Sequence, residues 1–378
     1  MQVDTVIVGA GPGGLAAARA AKRVGKRVLV IDDNWGPGGQ IWRGRAGLIV
    51  EGVEFQFGRQ LASLDVDYGQ LILACGAREL FLPFPGWTLP HVLGAGGLQA
   101  LVKTGLHIQG KRVVVAGSGP LLLAVAANLN TAGATVVLVA EQASWESLMR
   151  FGLGLWRWPA KIVQAFELAS WNYRAGLWPV EASAGAVKMS DGRTWECDYV
   201  ACGFGLVPNV ELALLAGCRL RDGFVAVDEY QKTSVDGVYA IGELTGIGGV
   251  EKAEAEGEAA GSGQRLQGNH AGFVRTLREC FALRPELKDL VRADTVVCRC
   301  EDVRYGQLQG YRSRREAKLQ TRCGMGPCQA RVCGPAVEFL LGWEADRVRP
   351  PVLPVRVHDL IGASEKATSL PGGEARCD

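Results

Sequence analysis

Short unbroken apolar runs, each closed by glycine or an acid, set the pattern of this chain. TVIV (Thr5–Val8) runs into the glycine-rich turn GAGPGG, and an alanine-rich stretch at 15–24 follows before Gly25. Residues 27–31 form a second strand, apolar from Val28 on, that ends at Asp32. A continuous apolar run of this length reads as a strand buried on both faces, and the alanine-rich stretch as the helix that crosses between parallel strands. The pattern recurs. Residues 111–116 form a strand, apolar from Val113 on, GSGP a turn, Leu121–Thr131 a helix stopped by Gly133, and residues 135–140 a strand closed by Glu141. Two βαβ units predict two doubly wound domains, the second inserted into the first.

VVVAGSGPLLLAVAANL, starting at Val113, has the length of a membrane span. Glycine, serine and proline interrupt its middle, so it reads as strand, turn and helix. GVYAIGE (237–243) is a further buried strand, and the stretch after it a helix. Residues 144–178 lack clear alternation; Trp156, Trp158, Trp171 and Trp178 within it are expected at the core or an interface. Past Arg292 the long apolar runs stop and arginine and cysteine take over, which places a domain boundary there. Pro350, Pro351 and Pro354 mark an extended tail. The divisions are 1–110 with 227–291, then 111–226, then 292–343, with 344–378 as the tail.

The first turn carries chemistry. Gly9-x-Gly11-x-x-Gly14 follows a strand, opens a helix with Pro12 at its start, and precedes Asp32 at the end of the next strand. Gly9 permits the tight turn, Gly11 lets a pyrophosphate approach the backbone, and Gly14 lets helix and strand close up. The helix N-terminus offers N–H groups to phosphate, and Asp32 can accept from ribose hydroxyls. In the second unit Gly117-x-Gly119 is present, but Leu122 stands where a third glycine belongs. Glu141 could hold a ribose and would repel a 2′-phosphate, which favours NAD over NADP. Whether this second site is occupied stays open. No C-x-x-C follows it, so a redox disulfide of the thioredoxin-reductase kind is not indicated.

The cysteines change the picture at the other end. Of 11, Cys298 and Cys300 form C-x-C, Cys328 and Cys333 form C-x4-C, and Cys323 is a fifth in the same region. An odd count crowded near one end is no secreted disulfide framework and points to metal or redox chemistry in a reducing compartment. Four thiolates suit zinc or iron–sulfur. Uneven spacing suits two irons better than a zinc knuckle, so [2Fe–2S] is favoured on spacing. Residues 292–331 hold nine Lys/Arg and four Asp/Glu, a local +5 that would stabilise an anionic thiolate cluster. Elsewhere composition only excludes. A net charge of +2 gives no reason to expect nucleic acid, and with 48% hydrophobic residues the chain has the balance of a soluble globular protein. The N-terminal run leads straight into the turn and reads as the first strand of the fold, so no secretory signal is expected.

Three stretches resemble two-dinucleotide-domain flavoproteins and favour FAD at the first site. They are PGGQIWR with Gly39 and Gln40, LILACGARELFLPFPG with Ala74 and Gly76, and TSVDGVYAIGE with Gly242 and Glu243. Cys75 replaces a threonine in the second, and Glu243 an aspartate in the third. FALRPELKDLVRADTVVCRCEDV, TRCGMGPCQARVCGPAVEFLLG and RPPVLPV together resemble the α subunit of heteromeric dye-linked amine dehydrogenases. That family includes hydrogen cyanide synthase, octopine and nopaline oxidases, and multi-subunit proline and D-hydroxyproline dehydrogenases. The resemblance covers nearly the whole chain. It implies a Rossmann-like α/β flavoprotein with a small C-terminal domain like bacterioferritin-associated ferredoxin. In that domain Cys298, Cys300, Cys328 and Cys333 would hold [2Fe–2S], and Cys323 would lie outside the ligand set. The segments at 47–71 and 300–323 are shorter than the family's.

The resemblance also implies that amine oxidation occurs on a partner β subunit resembling D-amino-acid oxidase, while this chain relays electrons. An FMN at the interface between the large subunits and a small ferredoxin-like γ subunit go with the family. So does a cytoplasmic location, with peripheral attachment to the inner face of a membrane as an option. Two other readings compete: a self-contained NADH:acceptor reductase using both nucleotide sites, and a non-enzymatic subunit with a zinc knuckle.

Overall fold

The computed structural model describes residues 3–64, 66–159, 161–162, 171–268, 270–344 and 348–355. The first sheet has five parallel strands in the order Val238–Ala240, Gln70–Leu73, Thr5–Val8, Val28–Ile31, Glu54–Gln56. Side chains alternate between its faces. Val6, Val8, Leu29, Ile31, Leu71 and Leu73 enter one core, and Ile7, Val28, Val30 and Ile72 the other. Both faces are covered, which is why the strands read as unbroken apolar runs rather than as alternation.

The Pro12–Arg23 helix starts three residues earlier than the alanine pattern suggests, because Pro12 suits the first helical turn. Its main neighbour is the Val250–Ser262 helix. A side chain at Gly257 would strike the Gly13 carbonyl, and one at Gly261 the Ala17 carbonyl. Small residues thus let the two helices touch along their backbones. That contact brings residues 242–249 beside the turn at 9–14.

The second sheet is also five-stranded and parallel: Val92–Gly94, Tyr199–Gly203, Arg112–Gly117, Thr135–Glu141, Tyr173–Ala175. The Leu121–Thr131 helix lies where the pattern places it. Ala77–Glu79 pairs with Leu206–Pro208 on the path between the two sheets. No helix among the described residues is long and apolar enough to cross a membrane.

The tryptophan-rich region contains a helix, Trp145–Gly154, whose N-cap Ser144 accepts from the Ser147 amide. Trp178 is half-buried and stacks under Arg284, but Trp156 and Trp171 are exposed. These two are therefore not core residues of this chain. Bulk alone does not bury a ring when the segment carrying it looks outward.

The C-terminal module is an antiparallel hairpin, Val296–Cys298 with Val303–Arg304, and the helices Arg314–Thr321 and Cys333–Leu341. Val297, Val303, Leu308, Ala317 and Val337 give it its own small core, which also takes in Cys298, Cys323 and Cys333. Of the tail, residues 348–355 are described; 345–347 and 356–378 lie outside the described residues.

Candidate functional site

The first glycine turn is shaped by contacts that only glycine permits. Gly9 has φ +109°, and a side chain there would strike the Ala74 carbonyl; one at Gly14 would strike the Gly9 carbonyl. Around Gly11 there is nothing within 4 Å of a Cβ position, so an open approach faces that backbone. Gly38 donates to the Ala10 carbonyl at 2.8 Å, and Gly39 packs against the Gly11 backbone. The 37–43 loop is thereby folded onto the turn. Gln40 in that loop is exposed, and its carbonyl accepts from Lys103 Nζ at 3.2 Å.

Asp32 is buried beneath the turn. Its Oδ2 accepts from the Ala10 amide at 2.5 Å, and its Oδ1 from the Asn34 amide and side chain at 2.7 and 2.8 Å. Asn34 in turn accepts from Arg43 at 2.9 Å. Sequence reasoning singled out neither Asn34 nor Arg43. Ala74 closes the neighbouring strand, its amide donating to the Val8 carbonyl at 2.8 Å. The Cys75 thiol is pushed up to about 12 by burial, with nearby Glu211 and Asp33 adding to the effect. It stays protonated, as a packed strand residue would. The Gly76 carbonyl accepts from the Asn209 amide at 3.0 Å.

Gly242 and Glu243 reach the same region by a different route from the one the motif suggests. Glu243 turns back and accepts from the Gly249 and Gly248 amides at 3.0 and 3.3 Å. Burial raises its carboxyl above the usual range. The residues that organise this loop are Lys252 and Glu256, one helical turn apart and both almost fully buried. Glu256 accepts from the Gly242 amide (2.7 Å), Thr245 Oγ1 (2.8 Å) and Lys252 Nζ (2.9 Å). Lys252 also donates to the Gly242 carbonyl at 2.8 Å. A buried pair survives only when its remaining donors and acceptors are satisfied, as they are here. The i,i+4 Lys–Glu spacing was the available signal, but it looks like a solvated helix pair.

The second glycine turn is bonded to its own acid and to residues 281–284, while around Gly119, as around Gly11, nothing lies within 4 Å of a Cβ position. Gly117 has φ +141° against the Gly203 carbonyl. Glu141 is fully buried; its Oε2 accepts from the Gly119 amide at 2.7 Å and its Oε1 from the Ala143 amide at 2.8 Å. Burial pushes its carboxyl up to about 7 in spite of these bonds. Ser118 Oγ donates to the Phe281 carbonyl at 3.1 Å, and Gln142 Nε2 to the Ala282 carbonyl at 3.2 Å. The Arg284 amide donates to Gln142 Oε1 at 3.1 Å. Residues 281–284 are thus strapped to the two residues that flank the turn and its acid.

In the C-terminal module all five cysteines converge. The thiols of Cys298, Cys323 and Cys333 lie within 4.8 Å of one another, all buried. Cys298 is hydrogen-bonded by both other thiols and by the Gly324 amide at 3.4 Å, which holds it well below the usual thiol range. Cys300 and Cys328 form a second, more exposed pair joined through their thiols. Cys298, Cys300, Cys328 and Cys333 line one cavity of about 540 Å³, shared with Phe81 and Trp87. Cys323 does not line it.

Backbone conformation wraps the loop around the sulfurs. Arg322, Gln329 and Ala330 have φ of +65°, +49° and +61°, a region costly for non-glycine residues and found where the surroundings impose it. A side chain at Gly326 would strike Cys300 Cβ. Arg322 bonds Glu301 at 2.8 Å, tying the two cysteine segments together, and Trp87 Nε1 donates to the Val296 carbonyl at 2.6 Å. Cys333 is the first residue of its helix, and its thiol is pushed up by its hydrogen bonds with Cys298 and Cys323 and by burial. Four thiols around one cavity are a donor set that fits a soft metal centre.

A Rossmann-like flavoprotein architecture with a thiol module is thus on view. The chain belongs to the pyridine nucleotide-disulphide oxidoreductase family, which it matches over residues 48–257; residues 7–72 also match the NAD(P)-binding Rossmann-like domain. Membership makes it an oxidoreductase and implies FAD. It is 29% identical to hydrogen cyanide synthase subunit HcnB of Pseudomonas aeruginosa, over 92% of this chain and 93% of that one. It is 28% identical to an opine oxidase subunit of Rhizobium meliloti, over 95% and 99%. These are relatives that the sequence resemblance indicated. Among solved structures, L-proline dehydrogenase from P. horikoshii shares the fold with a TM-score of 0.66 at 18% identity, over 95% of this chain and 79% of that one.

Proposed function

We propose that this chain is the electron-transfer subunit of a heteromeric flavin-dependent dehydrogenase acting on the C–N bond of an amine or imino acid. Gly9, Gly11, Pro12, Gly14 and Asp32 hold FAD, with the segments around Gly39, Ala74, Gly76 and Gly242 closing on it. Cys298, Cys300, Cys328 and Cys333 hold [2Fe–2S]. The observation that carries the reading is the single cavity lined by those four cysteines in a chain that also has a complete dinucleotide turn. An iron–sulfur cluster passes one electron at a time. The chain's own part is to fix both groups in one frame: Asp32 anchors the turn, and the 322–334 loop presents the sulfurs.

Two features support donation of electrons by a partner rather than by NADH. Leu122 stands where a third glycine would let helix and strand close up, and residues 281–284 are bonded to Ser118 and Gln142 beside the same turn. We place substrate oxidation on a β subunit resembling D-amino-acid oxidase. The interface FMN and a ferredoxin-like γ subunit complete the proposed assembly. The domain division at Arg292 belongs to the same proposal.

The test is the absorption spectrum with the iron, acid-labile sulfide and flavin contents of the purified complex, followed by stopped-flow mixing with NADH. Equal iron and labile sulfide with FAD, and no bleaching by NADH, is the expected result. A colourless chain with zinc and no iron would refute it. Rapid bleaching by NADH without a partner would replace it with the self-contained reductase.

A further inference from the structure

The five thiols divide three and two, whereas a [2Fe–2S] centre takes two and two. This deepens the cluster reading above and rests on it. Two thiolates on one tetrahedral metal, with bonds of about 2.3 Å, lie roughly 3.8 Å apart. Cys298, Cys323 and Cys333 are all within 4.8 Å of one another, so any two of them are spaced to share one metal atom after a small shift. Among the described residues no other set of three metal-ligating side chains is that close. Cys300 and Cys328 therefore have no third thiol in reach.

We propose that Cys323 is a reserve ligand for the iron held by Cys298 and Cys333. It stands outside the cavity that the four primary cysteines line, yet its sulfur lies within 4.8 Å of those of Cys298 and Cys333, close enough to replace either of them on a shared metal. It is buried, with its amide held by Thr321 Oγ1 at 3.2 Å, so it waits in a fixed place rather than on a mobile arm. When Cys333 or Cys298 is lost, the Cys323 thiol gives its proton to solvent and forms the missing sulfur–iron bond. No oxidant or reductant is needed. Loss of Cys300 or Cys328 meets no such rescue.

The experiment uses the full chain, purified anaerobically, with iron, labile sulfide and the visible spectrum as readouts. Cys323→Ala should match wild type. Cys333→Ala should keep more than half of the iron and sulfide with a shifted spectrum, and Cys333→Ala/Cys323→Ala should lose nearly all. Cys298→Ala repeats the test from the other side, should Cys333→Ala fail to fold. Cys328→Ala should lose the cluster with Cys323 still present. The inference falls if Cys333→Ala and Cys298→Ala are as empty as the double variant, if Cys323→Ala alone empties the site, or if Cys328→Ala is rescued equally. A wild-type chain without iron would instead overturn the cluster reading, and this inference with it.

Discussion

Arg78 Nε donates to the Arg331 carbonyl at 2.9 Å. Arg78 lies just beyond Cys75 and Gly76 at the dinucleotide site, and Arg331 sits between Cys328 and Cys333. One guanidinium therefore links the two candidate centres. It is held in turn by Glu211 at 2.9 Å and by Asn209 at 2.8 Å, and Asn209 Nδ2 donates to the Cys75 carbonyl at 2.8 Å.

Arg78→Ala should loosen that link. It leaves Glu211 and Asn209 without their main donor in a mostly buried place, at a cost of about 2 kcal/mol. Urea unfolding measures the loss, and hydrogen exchange of a peptide covering residues 328–333 should quicken. Unchanged exchange there would show that the loop is held by other contacts.

Gly11→Ala and Gly14→Ala should separate binding from folding. Nothing crowds a Cβ at Gly11, so alanine there should change stability by less than about 0.5 kcal/mol. Its methyl group stands where the pyrophosphate comes, and FAD affinity should fall at least about tenfold, or about 1.4 kcal/mol. At Gly14 the methyl strikes the Gly9 carbonyl, so the fold itself should suffer. Flavin titration and thermal melts of both variants decide the matter.

Glu141 makes stability depend on pH. Its folded pKa of about 7 is above the ordinary 4.5, so the folded chain keeps a proton that the unfolded chain releases. Raising the pH from 4.5 to 7 thus favours unfolding, by about 3 kcal/mol in all. Glu141→Gln keeps a neutral side chain throughout. The stability of wild type relative to this variant should fall as pH rises from about 5 to about 7.5 and level off above it. A flat difference would place Glu141 outside the titrating groups.

Lys252→Met leaves Glu256 charged and buried without its partner, at a cost of about 3–5 kcal/mol. Lys252→Met with Glu256→Leu should cost less than the sum of the two single changes, because no lone charge remains. A double-mutant cycle by urea unfolding reads the coupling. FAD content should fall in the single variant, since the pair holds the Gly242 loop.

Much of the first site was legible because its constraints are local. Gly9, Gly11 and Gly14 lie within six residues and sit at strand and helix ends that the apolar runs announce. Asp32 follows for the same reason. The Leu121–Thr131 helix was bounded by Gly119, Pro120 and Gly133, all short-range signals. The Trp145–Gly154 helix was missed because its outward face carries Trp145, Met149 and Leu153, which blurs the apolar period.

Residue type and spacing determined the two βαβ units, the dinucleotide turn and the presence of a thiol centre, since each is written within a few dozen neighbouring residues. Tertiary structure decided the rest. It spent Glu141 and Glu243 on backbone amides, buried Lys252 with Glu256, joined Arg78 to Arg331, and brought Cys323 within reach of Cys298 and Cys333. These outcomes depend on which distant surfaces meet once both sheets and the module have packed. A carboxylate or a thiol takes the nearest satisfied partner in space, and proximity in space is set by that packing rather than by position along the chain.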